Sequence, residues 1–514
     1  MGSLILAFAS FLAKVIGAVY RIPLTYILGA EGLGLYQLIF PLYSTLLVLC
    51  STGVPNAIAK LVASGKEEQN RAIVIKSLFV FAGLSLVMSL ALILLSKPIA
   101  ALQGNTDAWL VYVGIAPAIF FVGILSVFRG YFQGKQNILP TSISLIIEQL
   151  FKLIFGLLFS SLLINRSIMY GALGAVLGVT MSEIFALVMI VIQYLLAKKK
   201  TPRLNYQNVS VKSIVKTTVP MTLSSMVMPL TLLIDSFLII NLLKTIGYDT
   251  SSATNMYGIL TGVVNSLINL PVVLTMAVST MAIPIISKLY AQNGAGAVSD
   301  RASFALEIVL LISIPCVMLF FVFPKDVIFF LFKDGLKVGA INEFQVATNL
   351  LRIGSVAILF IALVQIATTI LQVINMAKVP VYNMVGACFL KVMLTLVLVL
   401  VPSINIYGAM WSTLACYIVC ATLNLQKLCS SIKIQLSLRY SIITPVLAGA
   451  MMVAAMLSIK QIIGVGTLQT LTMFLVGGAT YVLTILILSY GRFFTKESVL
   501  RALKTRLAPK NLQD

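Results

Sequence analysis

Apolar residues fall in long unbroken blocks along this chain, and polar residues collect in short gaps between them. Fourteen blocks are each long enough to cross a bilayer core of about 30 Å as a helix. They lie near 4–28, 35–63, 73–96, 108–132, 138–163, 170–197, 215–243, 255–285, 303–324, 346–375, 380–401, 406–428, 440–460 and 468–490. In hydrocarbon a helix satisfies its own backbone hydrogen bonds, whereas barrel strands would show alternating polarity over about ten residues, a pattern not present here. The pattern predicts an all-α integral membrane protein of about fourteen spanning helices. The gaps are too short for a separate soluble domain.

Composition agrees with this picture. The 514 residues are 60% hydrophobic and 10% charged, with mean hydropathy +1.06; soluble domains carry about 25% charged residues. The net charge of +21 comes from 36 Lys and Arg against 15 Asp and Glu. In a soluble chain that excess would suggest nucleic acid. Here it follows the loops, so no nucleic-acid partner is expected. Loops after even-numbered helices, together with the tail, hold 24 basic residues, and loops after odd-numbered helices hold seven. Basic loops stay on the cytoplasmic side, next to anionic lipid. Both termini are therefore expected to be cytoplasmic in a multi-pass protein of the cell membrane.

Several chemistries have no support. The chain has no histidine, which removes imidazole ligands and relays. The six cysteines are scattered through apolar helices and read as small packing residues. No GxxxxGK[ST] phosphate loop is present, and no metal or organic cofactor is expected. The start, MGSLILAF, runs straight into the first span, so no cleaved leader is expected.

An internal repeat organises the spans. Residues 51–65, STGVPNAIAKLVASG, match 279–294, STMAIPIISKLYAQNG; FQGKQNILP (132–140) matches LQVINMAKVP (371–380). The partners are six helices apart, so both copies point the same way. The expected organisation is an N-lobe over 1–200, a basic cytoplasmic linker over 201–216, and a C-lobe over 217–430. Two further helices occupy 431–490, and a basic cytoplasmic tail occupies 491–514. Two-lobe transporters bind substrate between the lobes and alternate access by rocking.

Topology leaves five basic residues inside spans: Lys14, Arg21, Lys152, Arg352 and Lys391. A charge at the bilayer centre costs at least about 2.5–3.5 kcal/mol, which makes each a candidate functional group. In FLAKVIGAVYRIPL, Lys14 and Arg21 return to within about 20° of one helix face, with Gly17 and Ala18 between them. This suggests a cleared, wet stripe facing an anion; the bland alternative is snorkelling to the two interfaces. Glu148 lies four residues before Lys152, so those two could form a structural i,i+4 pair, or Glu148 could orient Lys152. Arg352 lies near the start of its helix and could snorkel. Asp235, Glu183 and Glu148 are acids within spans, candidates for pairing with these bases or for coupling to H⁺ or Na⁺. The tally leans positive, which suits a phosphate or diphosphate headgroup held by Lys14, Arg21, Lys152, Arg352 and Lys391.

The segment ILGAEGLGLYQLIFPLYSTLLVLCSTGVPNAIAKLVASG (27–65), with its EGLGLY turn, and RGYFQGKQNILP (129–140) resemble the MOP flippase superfamily. The resemblance is to its polysaccharide-transporter branch, the group of stage V sporulation protein B and the MurJ-type lipid II flippases of Gram-positive bacteria. It implies flipping of an undecaprenyl-diphosphate-linked saccharide, with lipid II the expected cargo. That substrate and membrane lipids are the implied partners; no protein partner is indicated. MurJ-type flippases carry an R-x-x-G-x-x-R pattern on the first helix. Here KVIGAVYR (14–21) resembles it, with Lys14 in the first position and Arg21 displaced by one residue. Where those flippases carry arginines on helices 2 and 8, this sequence has Leu47, Val48 and Leu267. Two other functions compete. A cation-coupled multidrug antiporter of the same superfamily would use Asp235 and Glu183. A membrane transferase would need interfacial acidic clusters or histidine, which are not seen.

Overall fold

A computed structural model describes residues 2–64, 67–197, 218, 226–332, 335–336, 342–432, 434, 436–462 and 466–489. The predicted linker over 201–216, the tail over 491–514 and most of the start of the seventh span lie outside these residues.

The described residues form helices and no β-strand. Among the described residues, twelve stretches are long and apolar enough to cross a membrane. One of them, Phe8–Ala63, has 56 residues; as a straight helix it would be about 84 Å long, far more than one crossing needs. It breaks at Gly29, where φ is 65° and ψ is −176°, a conformation that only glycine adopts without strain. The break separates the first two spans. With the helix Val227–Thr245 as a further crossing, the architecture fits the fourteen expected.

The first span joins α1 (Gly2–Val19) to the beginning of α2 (Arg21–Leu47). The second continues through a π-helical turn, Val48–Thr52, into α3 (Gly53–Ser64). The N-lobe continues with α4 (Glu67–Leu94), α5 (Ser96–Leu102), α6 (Ala108–Gly134), α7 (Leu139–Leu163) and α8 (Ile168–Ala197). The seventh span is α9 (Val227–Thr245). The eighth is α10 (Thr250–Gly258), a π-helical turn at Ile259–Val264, and α11 (Asn265–Asn293). The C-lobe is completed by α12 (Ser299–Val322), α13 (Pro324–Phe332), α14 (Glu343–Val373), α15 (Lys378–Val399) and α16 (Tyr407–Ser431). The last two spans, α17 (Thr444–Ile462) and α18 (Thr467–Leu488), pack on each other, and α17 packs on α12.

The repeated motifs end their helices in the same way. Gln136 and Asn375 are left-handed, with φ of 57° and 64°. In each turn the next amide reaches back five residues, Asn137 N to Phe132 O at 3.0 Å and Met376 N to Leu371 O at 2.8 Å. Gln136 N and Asn375 N bond to Gln133 O and Gln372 O. Both are Schellman caps, which satisfy helix-end carbonyls before a sharp turn. Two six-helix lobes thus share a local fold as well as a sequence pattern.

The lobes meet mainly on the face away from the N-terminus. There Gly34 lies against the carbonyl of Thr254, and Gly258 against the carbonyl of Ala30; a Cβ at either glycine would overlap the opposing backbone. Side chains complete the seal. Gln103 donates to Ser236 Oγ at 3.0 Å and Asn105 to Thr254 Oγ1 at 2.8 Å. Asn241 donates to Leu102 O at 2.8 Å, and Lys244 to Gly104 O at 3.1 Å.

Candidate functional site

Beneath that seal lies a cavity of about 340 Å³ between the lobes. Arg21, Gln37 and Phe40 line it from the N-lobe; Asp235, Asn265 and Lys391 line it from the C-lobe. Part of its wall is the π-helical turn at Ile259–Val264, which presents Leu260 and Thr261. Such turns displace one residue from the α-helical ladder and recur at functional sites.

Lys14 and Arg21 both reach across the lobe interface to α11. Arg21 Nη1 donates to Ser266 Oγ at 2.9 Å, while Lys14 Nζ lies 2.7 Å from Met276 Sδ. Among the described residues neither base has a carboxylate at ion-pair distance. The clearance expected at Gly17 is filled: a Cβ there would lie 3.1 Å from Gln149 Oε1, so Gly17 admits α7 rather than a substrate.

The other bases have different surroundings. Lys391, on α15, is buried and bonded to Asp235 Oδ2 of α9, inside the cavity wall. The second carboxylate oxygen, Oδ1, is buried without a partner. Lys391 is therefore neutralised within the C-lobe, a partner the sequence could not show because 156 residues separate the two. Lys152 sits over two rings, 5.7 Å from the centre of Tyr20 and 5.4 Å from that of Phe40. Rings offer a cation their negative faces. Phe40 lines the cavity, so Lys152 stands one ring behind its wall.

Two expectations need correction. Glu148 does not pair with Lys152; its Oε2 accepts from Arg129 Nη2 at 2.8 Å. Arg129 also donates through Nε to Ser144 Oγ at 2.9 Å. The long Arg129 fork, coming from α6, outcompetes the weaker i,i+4 contact along α7. Arg352 does not join the other bases. It is exposed, nine residues into α14 on the face away from the N-terminus. It lines a separate surface cleft with Asn349, Ser403, Tyr407 and Trp411. Its place near a helix start lets it reach the interface.

Arg129 is an intramembrane base that the sequence count assigned to a loop. It lies within the block 108–132, and α6 runs on to Gly134. Counting charges by block rather than by loop would have found it. Glu183, on α8, is buried in the same lobe, and its Oε2 has no hydrogen-bond partner.

The sequence profile of the family described as "Polysaccharide biosynthesis protein" matches residues 1–290. The chain belongs to this family. This family member is similar to stage V sporulation protein B of Bacillus subtilis (strain 168), with 28% identity over 421 residues, 79% of each chain. It is also similar to lipid II flippase MurJ of the same organism, 26% identical over 444 residues, 81% of this chain and 80% of the relative. In fold it resembles lipid II flippase MurJ in an inward closed conformation, with TM-score 0.72, 15% identity and coverage of 95% of this chain and 99% of the other. It also resembles an inward-facing multidrug resistance MATE family transporter of the MOP superfamily, with TM-score 0.66, 14% identity and coverage of 81% and 95%. Of these, MurJ is named a flippase and the MATE family protein a transporter; this family member shares their fold and is a multi-pass membrane protein.

Proposed function

We propose that this chain flips a polyprenyl-diphosphate-linked saccharide, with lipid II the first candidate, by alternating access through the cavity between its lobes. The observation that carries the proposal is Arg21: a guanidinium in a membrane cavity, held by a neutral hydroxyl across the lobe interface, with no acid paired to it among the described residues. A guanidinium offers a diphosphate two parallel donors and needs such an anion to offset its desolvation. Lys14 adds a second cation on the same span, facing the same partner helix. Lys152 adds positive potential from behind Phe40, and Lys391 can contribute only by exchanging Asp235 for substrate.

The division into lobes over 1–200 and 217–430, with helices over 431–490 added, suits rocking about this cavity. We place both termini in the cytoplasm on the bias of basic loops. The sealed face then looks outward, and the headgroup enters from the cytoplasmic side while its lipid tail stays in the bilayer. Energy comes from the membrane potential or from an H⁺ or Na⁺ gradient, 100 mV being worth about 2.3 kcal/mol per charge. Of the three acids named from the sequence, Asp235 and Glu148 are engaged by Lys391 and Arg129, which leaves Glu183 as the coupling candidate. The occupation of Asp235 also weighs against a multidrug cation antiporter.

The test is flipping of a labelled lipid-linked saccharide in proteoliposomes. Arg21→Ala should slow it at least about tenfold, and Arg21→Lys should retain part, since lysine keeps the charge but loses the fork. Full activity of Arg21→Ala together with Lys14→Ala would remove the headgroup site.

A further inference from the structure

A second cavity, of about 480 Å³, opens within the C-lobe toward the N-terminal face. It shares Ile361 and Tyr417 with the central cavity, so the two are neighbours along one path. Its size falls in the range of small-molecule sites, about 300–1,000 Å³. No charged residue lines it.

Its lining has a distinct chemistry. Gln365, Thr368, Thr369 and Gln372 are spaced i, i+3, i+4, i+7 and form one face of α14. The opposite face, Ala362, Ile366, Ala367 and Ile370, is fully buried in the lobe. α11 contributes Ser279 and Thr280. Gln365 Oε1 accepts from Thr275 at 3.2 Å, but among the described residues its amide N–H groups have no partner. Among the described residues the Thr369 hydroxyl and the Gln372 amide have none either. Unpaired amides on a spanning helix are costly against lipid, so this face requires water or a polar ligand. The rest of the lining, including Ile283, Val364, Pro380 and Met384, is apolar, so the polar side chains form a stripe that a lipid tail would leave unsatisfied.

We infer that this cavity is a subsite for the uncharged, hydroxyl-rich saccharide portion of the cargo, and that it sets which saccharide is carried. Glutamine amides offer donor and acceptor groups together, which matches the paired roles of sugar hydroxyls. The neutral lining divides the work with Arg21: phosphate charge is read in the central cavity, and sugar hydroxyls are read here. The inference rests on the flippase proposal, since it assumes a saccharide joined to the diphosphate.

The test compares binding of three probes to the full chain in nanodiscs: undecaprenyl diphosphate, the same lipid carrying a disaccharide, and the disaccharide alone. The variant Gln365→Met/Gln372→Met keeps side-chain length and makes the helix more apolar, so it inserts at least as well. Thr369→Val removes one hydroxyl at constant shape. The double variant should weaken the disaccharide-bearing lipid about tenfold or more and leave the bare diphosphate lipid unchanged. Equal binding of the two lipids by the native chain, or an unchanged preference in the double variant and Thr369→Val, would overturn the subsite. So would binding of the free disaccharide as tight as that of the lipid-linked form. Arg21→Ala should weaken both lipids; if it weakens neither while the glutamine variants still lose the saccharide lipid, the subsite stands and the phosphate site falls.

Discussion

Asp235 and Lys391, from the seventh and eleventh spans, form an ion pair in the wall of the central cavity, with one carboxylate oxygen on the ammonium and the other unpartnered. The pair resolves an apparent excess of charge. A lone lysine here would be a strong anion site; a paired one is a latch within the C-lobe. Its exchange for a diphosphate would strand Asp235 in the wall, a cost that the diphosphate contacts must offset.

Breaking this latch on one side should be harmful. Lys391→Ala leaves a buried carboxylate alone and should cost about 3–5 kcal/mol, while Asp235→Asn/Lys391→Met should recover most of the loss. The pair between Lys460 and Asp326, at 2.7 Å, is a contrast: the Lys460 side chain is 42% exposed. Lys460→Ala should cost less than about 1 kcal/mol. Thermal unfolding of the native chain and these three variants in one detergent measures both differences.

A comparable result is expected in the N-lobe. Arg129→Ala strands Glu148 and removes the donor to Ser144, which should cost about 3–5 kcal/mol. Arg129→Met/Glu148→Gln should be milder. Equal melting temperatures for the single and double variants would show that the pair is not the source of stability.

Gly29 isolates a pure backbone effect. Nothing lies within 4 Å of a Cβ built there, so Gly29→Ala causes no clash, only strain at φ 65° and ψ −176°. The expected cost is about 1–3 kcal/mol, read as a lower melting temperature. An unchanged melting temperature would mean that the break between the first two spans relaxes without penalty.

The seal between the lobes gives a prediction about conformation. Gly34→Ala or Gly258→Ala pushes a methyl into an opposing carbonyl at the lobe contact. Overpacking of about 1–3 kcal/mol shifts a two-state equilibrium by roughly 5–150-fold. The lobes should part on that face. Labelling of Asn105→Cys by a membrane-impermeant thiol reagent, in a Cys429→Ser background, should accelerate accordingly.

Much of this protein follows from pattern alone. Long apolar blocks dictate spanning helices, because hydrocarbon tolerates no unpaired backbone, and the blocks 108–132 and 138–163 became α6 and α7 with small shifts at their ends. The chain runs from Phe8 to Ala63 as one long apolar stretch, yet the block edge at residue 28 falls beside Gly29, whose conformation divides it. Lys14 and Arg21 were legible because two charges at helical spacing in an apolar run have few explanations.

What the sequence determined is which residues must lie in the membrane and which of them carry charge there. Tertiary structure alone decided which charges remain free. Lys391 met Asp235 and Glu148 met Arg129, while Arg21 met only a serine. The physical reason is range: apolar periodicity is a local property of one helix, whereas charge neutralisation in a low dielectric depends on which side chains from distant spans come within a few ångströms of each other.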